Sequence, residues 1–352
     1  MALMENPTIN QRLFVFYLLP EFTLLAFSSA IEALRLANAV LGYKAYTWRL
    51  ATDAGGEVQA SCGASLRSDS TVATERQHAF RTSRPFMVVV CGGMNVERHA
   101  SKAAEAWMRE CKQNGTAIAS LCTGAHLLAR AKLLDDRKCV IHWENFPSFV
   151  EQFSGASVRT GLFEIDGGII SCAGGAASFD MMLHIIRRDH GEEIVAGVCE
   201  RAIVAHVRNP EDRQRLPFSP RLKEPHPAVT KLIERMQHSL TEPVPVDELV
   251  ADLGLTRRQM ERLFRTELRN SPAKYYMKLR LERARLLLQQ MNTPIIEIAI
   301  SSGFSSASHF SKCYRDVYGC SPNEARKPKP SISTQGRRSI GPQGGVAALS
   351  LR

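Results

Sequence analysis

The chain of 352 residues contains no Cys-x-x-Cys pair, no Cys/His spacing of the zinc-binding kind, and no uninterrupted apolar run of about 18 residues. Its nine cysteines are odd in number, and its start, MALMENPTINQR, has neither the basic nor the apolar segment of a secretion signal. The apolar run 13–27 is interrupted by Pro20 and Glu21 and is typical of a strand leading into a helix. We therefore expect a cytoplasmic protein with free thiols and with no metal, no cofactor and no membrane contact.

The length exceeds what one hydrophobic core usually organises, so we expect two domains. Residues 208–227 hold five prolines and few aliphatic side chains, which is typical of a linker. This places one domain at 11–207 and the other at 228–327. Residues 1–10 would form an N-terminal tail, and residues 328–352, rich in Ser, Gly and Pro, a disordered C-terminal tail.

The positive charge is unevenly distributed between these domains. Of 45 Lys and Arg and 35 Asp and Glu in the chain, residues 228–352 contain 20 and 11, which leaves 25 and 24 for residues 1–227. Nearly all of the net charge of +10 therefore belongs to the C-terminal part. This asymmetry is expected if that part neutralises DNA phosphates and the rest does not.

A sequence pattern occurs twice in the basic part, at 246–272 and at 295–322. Each copy predicts a helix, a tight turn closed by a glycine (Gly254 or Gly303), and a second helix. The two helix-turn-helix motifs span about 245–266 and 293–316. Thr256 precedes Gln259 by three residues, the spacing of a capping box.

The second helix of each copy has an apolar and a polar face. Met260, Leu263, Phe264 and Leu268 recur at helical spacing, as do Phe310, Tyr314 and Val317, and we expect these residues to face the core. The outward residues would contact DNA through the major groove; they are Arg257, Arg258, Glu261, Arg262 and Arg265 in the first copy and Ser308, Ser311, Lys312 and Arg315 in the second.

A predicted helix at about 273–290 separates the two copies, with Leu279, Leu286 and Leu287 on one face. It would hold both second helices at a fixed distance, so that they enter successive major grooves. Solvated basic faces on ordinary amphipathic helices are the alternative for one copy alone, but two copies at this spacing favour DNA binding. Residues 228–327 resemble the AraC/XylS family of transcription regulators, on the evidence of Gly254-Leu255-Thr256, Arg262, Phe264, Ser271-Pro272 and GFSSASHFSKCYRDVYGCSP.

The N-terminal part alternates apolar strands with helical segments. LFVFYLLP, TWRLAT, PFMVVVCGG and TAIASLC are typical of buried strands, and helices are predicted at 28–40 and 100–112. This pattern predicts an α/β domain, a largely parallel sheet covered by helices. Ligands of such sheets bind at the carboxyl ends of the strands.

Three segments would meet at that edge. Cys122 ends a strand that turns into a helix near Gly124, whose N-terminus would favour a thiolate. Gly92 and Gly93 would let backbone N–H groups approach a ligand oxyanion. Residues 139–144 place His142 and Trp143 beyond another strand.

Together these segments resemble the PfpI-type, class I glutamine amidotransferase-like fold, which is flavodoxin-like. Catalytic members carry a histidine directly after the nucleophile, where this chain has Thr123, and a carboxylate after the first strand, where Glu21 is the nearest candidate. His142 is the alternative base. Because a nucleophile needs a base within hydrogen-bond reach, we expect no enzyme and no catalytic residue, but a pocket kept for binding.

Three roles remain open for Cys122: a buried inert thiol, a ligand contact, or a redox sensor. The two domains together resemble the GlxA-type branch of the AraC/XylS family, in SLCTGAHLLARAKLLDDRKCVIHW and SCAGGAASFDMMLHIIRRDHG. That branch includes activators that respond to arginine or to quaternary amines such as carnitine and glycine betaine. The expected effector pocket comprises Glu21, Phe22, Gly92, Gly93, Cys122, Thr123, His142 and Trp143; Trp143, Phe22 and Glu21 could contact a cation, although ordinary packing or solvation is the alternative for each.

The sequence thus predicts a ligand-responsive regulator that binds double-stranded DNA and activates a catabolic operon. Its expected partners are an operator, a small effector and RNA polymerase, and direct-repeat half-sites favour a homodimer. One alternative is a PfpI or amidotransferase-type cysteine hydrolase with an appended DNA-binding domain. Another is a constitutive architectural DNA-binding protein without an effector.

Overall fold

The structure is a computed structural model and describes residues 11–79, 84–214, 226–251 and 253–326. The expected N-terminal tail, most of the expected linker and the expected C-terminal tail lie outside these residues. The N-terminal part contains β1 (Arg12–Leu18), β2 (Tyr46–Thr52), β3 (Glu57–Gln59), β4 (Ser65–Arg67), β5 (Ser70–Thr71), β6 (Met87–Cys91), β7 (Ala117–Leu121), β8 (Lys138–Val140), β9 (Ser157–Arg159), β10 (Phe163–Asp166) and β11 (Ile169–Cys172). Its helices are α1 (Leu24–Leu41), α2 (Val72–Ala79), α3 (Val96–His99), α4 (Lys102–Gln113), α5 (Ala125–Arg130), α6 (Phe146–Gln152), α7 (Ala177–His190) and α8 (Glu192–Ala202).

A seven-stranded sheet organises this domain, in the order β10-β11-β7-β6-β1-β2-β5. Its neighbouring strands are parallel except for β10 and β11. The central strands β1, β6 and β7 are apolar and almost wholly buried, because helices cover both faces of the sheet. The predicted α/β fold with a mostly parallel sheet is confirmed.

Two apolar cores lie on the two faces of the sheet. One contains α1, α7 and α8, and the other contains α4, α5 and α6. By length and composition α1 could cross a bilayer, but it packs against α7 and α8 and contributes Ala30, Ala33 and Leu34 to the core at full burial. We therefore assign it as a core helix, as the interrupted run 13–27 predicted.

The C-terminal part is helical throughout its described residues. It contains α9 (Pro227–His238), α10 (Val246–Ala251), α11 (Arg257–Leu268), α12 (Pro272–Gln290), α13 (Ile295–Ser301), α14 (Ala307–Tyr318) and α15 (Pro322–Arg326). A first core gathers α9, α10, α11 and the start of α12, and a second gathers the rest of α12 with α13 and α14. The long helix α12 therefore belongs to both modules and joins them rigidly.

Candidate DNA interface and effector pocket

The first helix-turn-helix motif consists of α10, the turn at Gly254, and α11. Gly254 has a φ of +68°, and a Cβ there would meet no atom within 4 Å. The capping box at the start of α11 is formed as predicted: Thr256 Oγ1 accepts from the Gln259 N–H, and the Gln259 side chain accepts from the Thr256 N–H at 2.7 Å. This local chemistry fixes where the second helix begins.

One face of α11 is apolar and the other cationic. Met260 and Phe264 are fully buried, whereas Arg258, Arg262 and Arg265 are exposed at helical spacing on a single face. Arg257 is also exposed but is bound by Asp247 at 2.6 Å and by Glu261 at 3.4 Å. Arg258, Arg262 and Arg265 therefore form the cationic surface that α11 presents.

The second motif consists of α13, a turn at Gly303, and α14. Gly303 has a φ of +76°, and a Cβ there would lie 2.7 Å from the Leu240 carbonyl oxygen and 2.4 Å from Pro243. This turn is thus packed against the segment that follows α9, unlike the turn of the first motif. Ser306 caps α14 by accepting from the His309 N–H at 3.2 Å.

The faces of α14 agree with prediction except at its end. Phe310 and Tyr314 are buried; Ser308, Lys312 and Arg315 are exposed, and Ser311 is half-buried. Val317 was expected to face the core, and this expectation is wrong: the next residue, Tyr318, packs against the core and against Tyr314 instead, and Val317 is 47 % exposed.

Two arginines of α12 bind the end of α13. Arg280 donates to the Ser302 carbonyl at 3.0 Å and to the Gly303 carbonyl, and its guanidinium lies 4.2 Å from the centre of the Phe304 ring. Arg283 donates to the Ser301 carbonyl at 2.9 Å. These carbonyls have no partner within α13, so the arginines satisfy them and fix the second turn on α12.

The predicted pocket residues converge where β1, β6 and β7 end. Cys122 follows β7 with a φ of +58°, and its side chain is only 7 % exposed. Thr23, which sequence reasoning did not select, donates its hydroxyl to the Cys122 sulphur at 3.4 Å. Thr123 donates to the Gly93 carbonyl at 2.7 Å. A sharp backbone turn therefore places Cys122 among strand ends, as the sequence predicted.

Gly92 and Gly93 lie where backbone segments pack closely together. A Cβ on Gly92 would lie 2.3 Å from the Gly124 nitrogen, and one on Gly93 would lie 1.9 Å from the Glu21 carbonyl oxygen. The Gly92 N–H is already bonded to the Leu121 carbonyl. These glycines are required because three backbone segments pack together there.

The expected thiolate at Cys122 is also wrong. Burial raises the pKa of the Cys122 thiol, and the nearby charge of Glu144 acts in the same direction. The 3-10 turn at Cys122–Gly124 and the six-residue α5 that follows do not outweigh this desolvation. At neutral pH the thiol is protonated and is a weak nucleophile.

Among the described residues, no hydrogen bond joins His142 to the Cys122 sulphur, which Thr23 bonds instead. Burial lowers the pKa of His142, and its Nδ1 lies 3.8 Å from a carboxylate oxygen of Glu144. Trp143 and Glu144 begin a short 3-10 turn that leads directly into α6, and Glu144 is exposed. His142, Trp143 and Glu144 thus form the rim of the predicted pocket and supply an imidazole, an indole and a carboxylate, and the charge of Glu144 acts on the Cys122 thiol. Such a set of side chains suits the binding of a cation.

Two further expected pocket residues have other partners. Phe22 is fully buried in the core and packs edge-to-face on Phe27, so its assignment to the pocket is wrong. Glu21 accepts a hydrogen bond from Asn95 at 2.7 Å and lies 3.1 Å from His99. The Asn95 hydrogen bond lowers the pKa of Glu21, which keeps this carboxylate charged at the surface.

Fold and site together define a DNA-binding regulator with a flavodoxin-like α/β domain at its N-terminus. The family model described as Helix-turn-helix domain matches residues 249–328, and the model of the DJ-1/PfpI family matches residues 13–188. The chain belongs to the AraC family of HTH-type transcriptional regulators, in the GlxA-type branch with a DJ-1/PfpI N-terminal domain.

Three relatives match almost the whole chain. The HTH-type transcriptional regulator GbdR of Pseudomonas aeruginosa is 39 % identical over 90 % of this chain and 84 % of its own length. The HTH-type transcriptional regulator CdhR of the same species is 35 % identical over 90 % and 92 %. The HTH-type transcriptional regulator GlxA of Rhizobium meliloti is 33 % identical over 89 % and 94 %. The predicted function of a transcriptional regulator is confirmed.

Proposed function

We propose that this regulator responds to a small cationic metabolite bound at the carboxyl ends of β1, β6 and β7. The observation that carries the proposal is the position of Trp143 and Glu144 beside the Cys122 elbow, where the charge of Glu144 acts on the thiol. Trp143 supplies an aromatic face and Glu144 a carboxylate, while burial keeps the thiol neutral. A cation bound there would offset the charge of Glu144.

The same pocket supports binding without catalysis. The residue after Cys122 is Thr123, whose hydroxyl is committed to the Gly93 carbonyl. Burial favours the neutral form of the Cys122 thiol, no hydrogen bond among the described residues joins His142 to its sulphur, and Glu21 bonds Asn95 instead of Cys122. An activated nucleophile needs a base within hydrogen-bond reach, so these residues favour a ligand contact for Cys122 over a hydrolase.

Both second helices would read DNA, and the proposal assigns them different residues. Arg258 and Arg262 on α11, with Glu261 beside them, would contact one half-site, and Ser308, Ser311 and Lys312 on α14 the other. Arg257, Arg265 and Arg315 would contact phosphates. Activation of a catabolic operon through RNA polymerase, action in the cytoplasm as a homodimer, and a linker joining two separately folded domains complete the proposal.

Thermal unfolding of the full chain tests the effector class. Glycine betaine, carnitine and L-arginine serve as probes, because a ligand that binds only the folded state stabilises it by about 2.7 kcal/mol at a hundred times its Kd. We expect a cationic probe to raise the Tm of the wild-type chain. Glu144→Gln should abolish most of that rise, whereas Glu193→Gln, an exposed glutamate on α8, should retain it.

Two results would contradict the proposal. One is the absence of a Tm rise with any cationic probe across a range reaching tens of millimolar. The other is a rise of equal size in the wild-type chain and in the Glu144→Gln and Trp143→Ala variants, which would place the binding site elsewhere.

A further inference from the structure

The helix that follows the pocket rim also contacts the DNA-binding part. Trp143 and Glu144 lead without a gap into α6, and α6 packs against α12. Pro147, Ser148 and Phe149 of α6 are buried. The pocket rim and the helix that joins the two DNA-binding modules are therefore neighbours in space.

Gln290, the last residue of α12, bonds this region at two points. Its Nε2 donates to the backbone carbonyl of Glu144 at 2.8 Å, and its Oε1 accepts from the Ser148 hydroxyl. The first bond is to the rim turn itself and the second to the first turn of α6. A shift of the rim turn relative to α12 would change the first bond, and a shift of α6 would change the second.

Arg283 provides a second connection two turns earlier on the same face of α12. It is only 8 % exposed, and its guanidinium pairs with Glu151 of α6 at 2.6 Å. The Nε of the same guanidinium donates to the Ser301 carbonyl at the end of α13. One buried side chain thus joins the N-terminal domain to the turn of the second helix-turn-helix motif.

We infer that Gln290, Arg283 and Glu151 are positioning residues that set the orientation of α13 and α14 according to the state of the pocket rim. This inference rests on the proposed function only for the identity of the signal. Any coupling between two binding sites is reciprocal, so the α14 half-site should alter probe affinity by the same factor that the probe alters DNA affinity.

The two modules are linked to the N-terminal domain by different routes. Arg283 and Gln290, which bond α6 and the rim turn, lie in the half of α12 beside the second module. On the side of the first module, Arg213 of the expected linker pairs with Glu234 of α9, and the adjacent Gln214 donates to the Ile141 carbonyl at 3.0 Å. A signal that starts at Glu144 therefore has its direct contact with the second module.

Hydrogen exchange of the full chain without DNA or probe tests the connection itself. Glu151→Gln keeps an acceptor but leaves the buried Arg283 charge without its counter-charge, and Gln290→Ala removes both rim bonds. We expect both variants to speed amide exchange in peptides covering 291–304 by at least about five-fold, a factor at the low end of typical site couplings. Glu193→Gln, matched in charge and remote from α12, should exchange like the wild type.

DNA binding supplies the readout that distinguishes positioning from general stability. The probe is an operator recovered from random DNA by in vitro selection with the wild-type chain, alongside a copy whose α14 half-site is scrambled. We expect Glu151→Gln and Gln290→Ala to change affinity for the intact operator by about five-fold or more, and to match the wild type on the scrambled copy.

Wild-type exchange in both variants would overturn the inference, as would equal losses of affinity on the two DNAs, which would indicate general destabilisation. Failure of the effector proposal gives a different result. In that case no cationic probe changes the Tm, while the exchange and operator differences between Glu151→Gln and Glu193→Gln persist.

Discussion

The two helix-turn-helix modules share a sequence pattern but differ in what surrounds them. The turn at Gly254 is open, and α11 presents a face of arginines. The turn at Gly303 is packed against Leu240 and Pro243 and bound by Arg280 and Arg283, and α14 presents two serines with Lys312 and Arg315. The first module has more charge for binding phosphates, whereas the second has more contacts that fix its orientation. Two copies of one motif can therefore differ in role: one contributes more to DNA affinity, and the other has its orientation controlled by the rest of the protein.

Among the substitutions that compare the two modules, removing a core aromatic side chain should lower the unfolding free energy most. Phe264 and Tyr314 occupy equivalent positions and are almost fully buried. We expect Phe264→Ala and Tyr314→Ala each to cost about 3 to 5 kcal/mol, measured by thermal or urea unfolding. If the modules fold independently, each substitution should melt one of them selectively; a single transition in both variants would show that α12 makes them one cooperative unit.

Alanine at the two turn glycines should have the next largest effect on stability, and the effect should differ between the two modules. Both glycines have positive φ, which costs an alanine about 1 to 2 kcal/mol. Only at Gly303 does a Cβ also collide with backbone, which adds about 1 to 3 kcal/mol. We expect Gly303→Ala to lower unfolding free energy clearly more than Gly254→Ala, and equal losses would contradict the difference in packing.

Substitutions on the reading faces compare the modules in DNA binding. Arg262→Ala and Lys312→Ala should each cost about 1 to 3 kcal/mol if the side chain reads a base, with relaxed preference at one position of the operator. Arg265→Ala serves as the control: it should weaken binding evenly and reduce the salt dependence. A gel-shift titration in which neither base-reading variant differs from wild type would remove these assignments.

Low pH should destabilise the region around α6, the helix that packs against α12. His126 is fully buried against Phe149 and Phe153 of the α6 region, and burial lowers its pKa to about 4. The unfolded chain binds this proton below about pH 6.5, so the contribution of His126 is present above that pH and is lost as the pH falls towards 4.

His126→Phe should remove this pH dependence. Both ring nitrogens of His126 lack hydrogen-bond partners, so phenylalanine leaves no polar group unsatisfied. Between pH 7 and 5.5, we expect the unfolding free energy of the wild type to fall by roughly 1 kcal/mol more than that of the variant, as measured by urea unfolding. Parallel pH profiles would indicate that other groups dominate the acid response.

The sequence predicted those features that local chemistry determines. The capping box of Thr256 and Gln259, the glycine turns and the apolar faces of α11 and α14 follow from spacing along one segment. The strands β1, β6 and β7 were recognisable because buried parallel strands are continuously apolar. The family resemblance then supplied the strand ends as the place for a pocket.

The predictions that failed concern side chains whose surroundings are formed by segments distant in the sequence. The elbow at Cys122 suggested a thiolate, but the surrounding strand ends desolvate the sulphur, and their packing depends on the whole sheet. Phe22 follows the first strand as expected, yet it turns into the core beside Phe27. The role of Thr23, and the contacts of Gln290 with Glu144 and Ser148, join residues about a hundred positions apart or more, for which one sequence contains no signal.

The attachment of α13 to α12 by arginine side chains has a consequence for operator architecture. With α13 fixed to α12, the separation of the two half-sites depends on the length of one uninterrupted helix of 19 residues. Inserting one residue into α12 would rotate α14 by about 100° around the helix axis and advance it by about 1.5 Å. The wild-type chain should therefore bind operators with altered half-site spacing more weakly, because α12 holds the two reading helices at one separation.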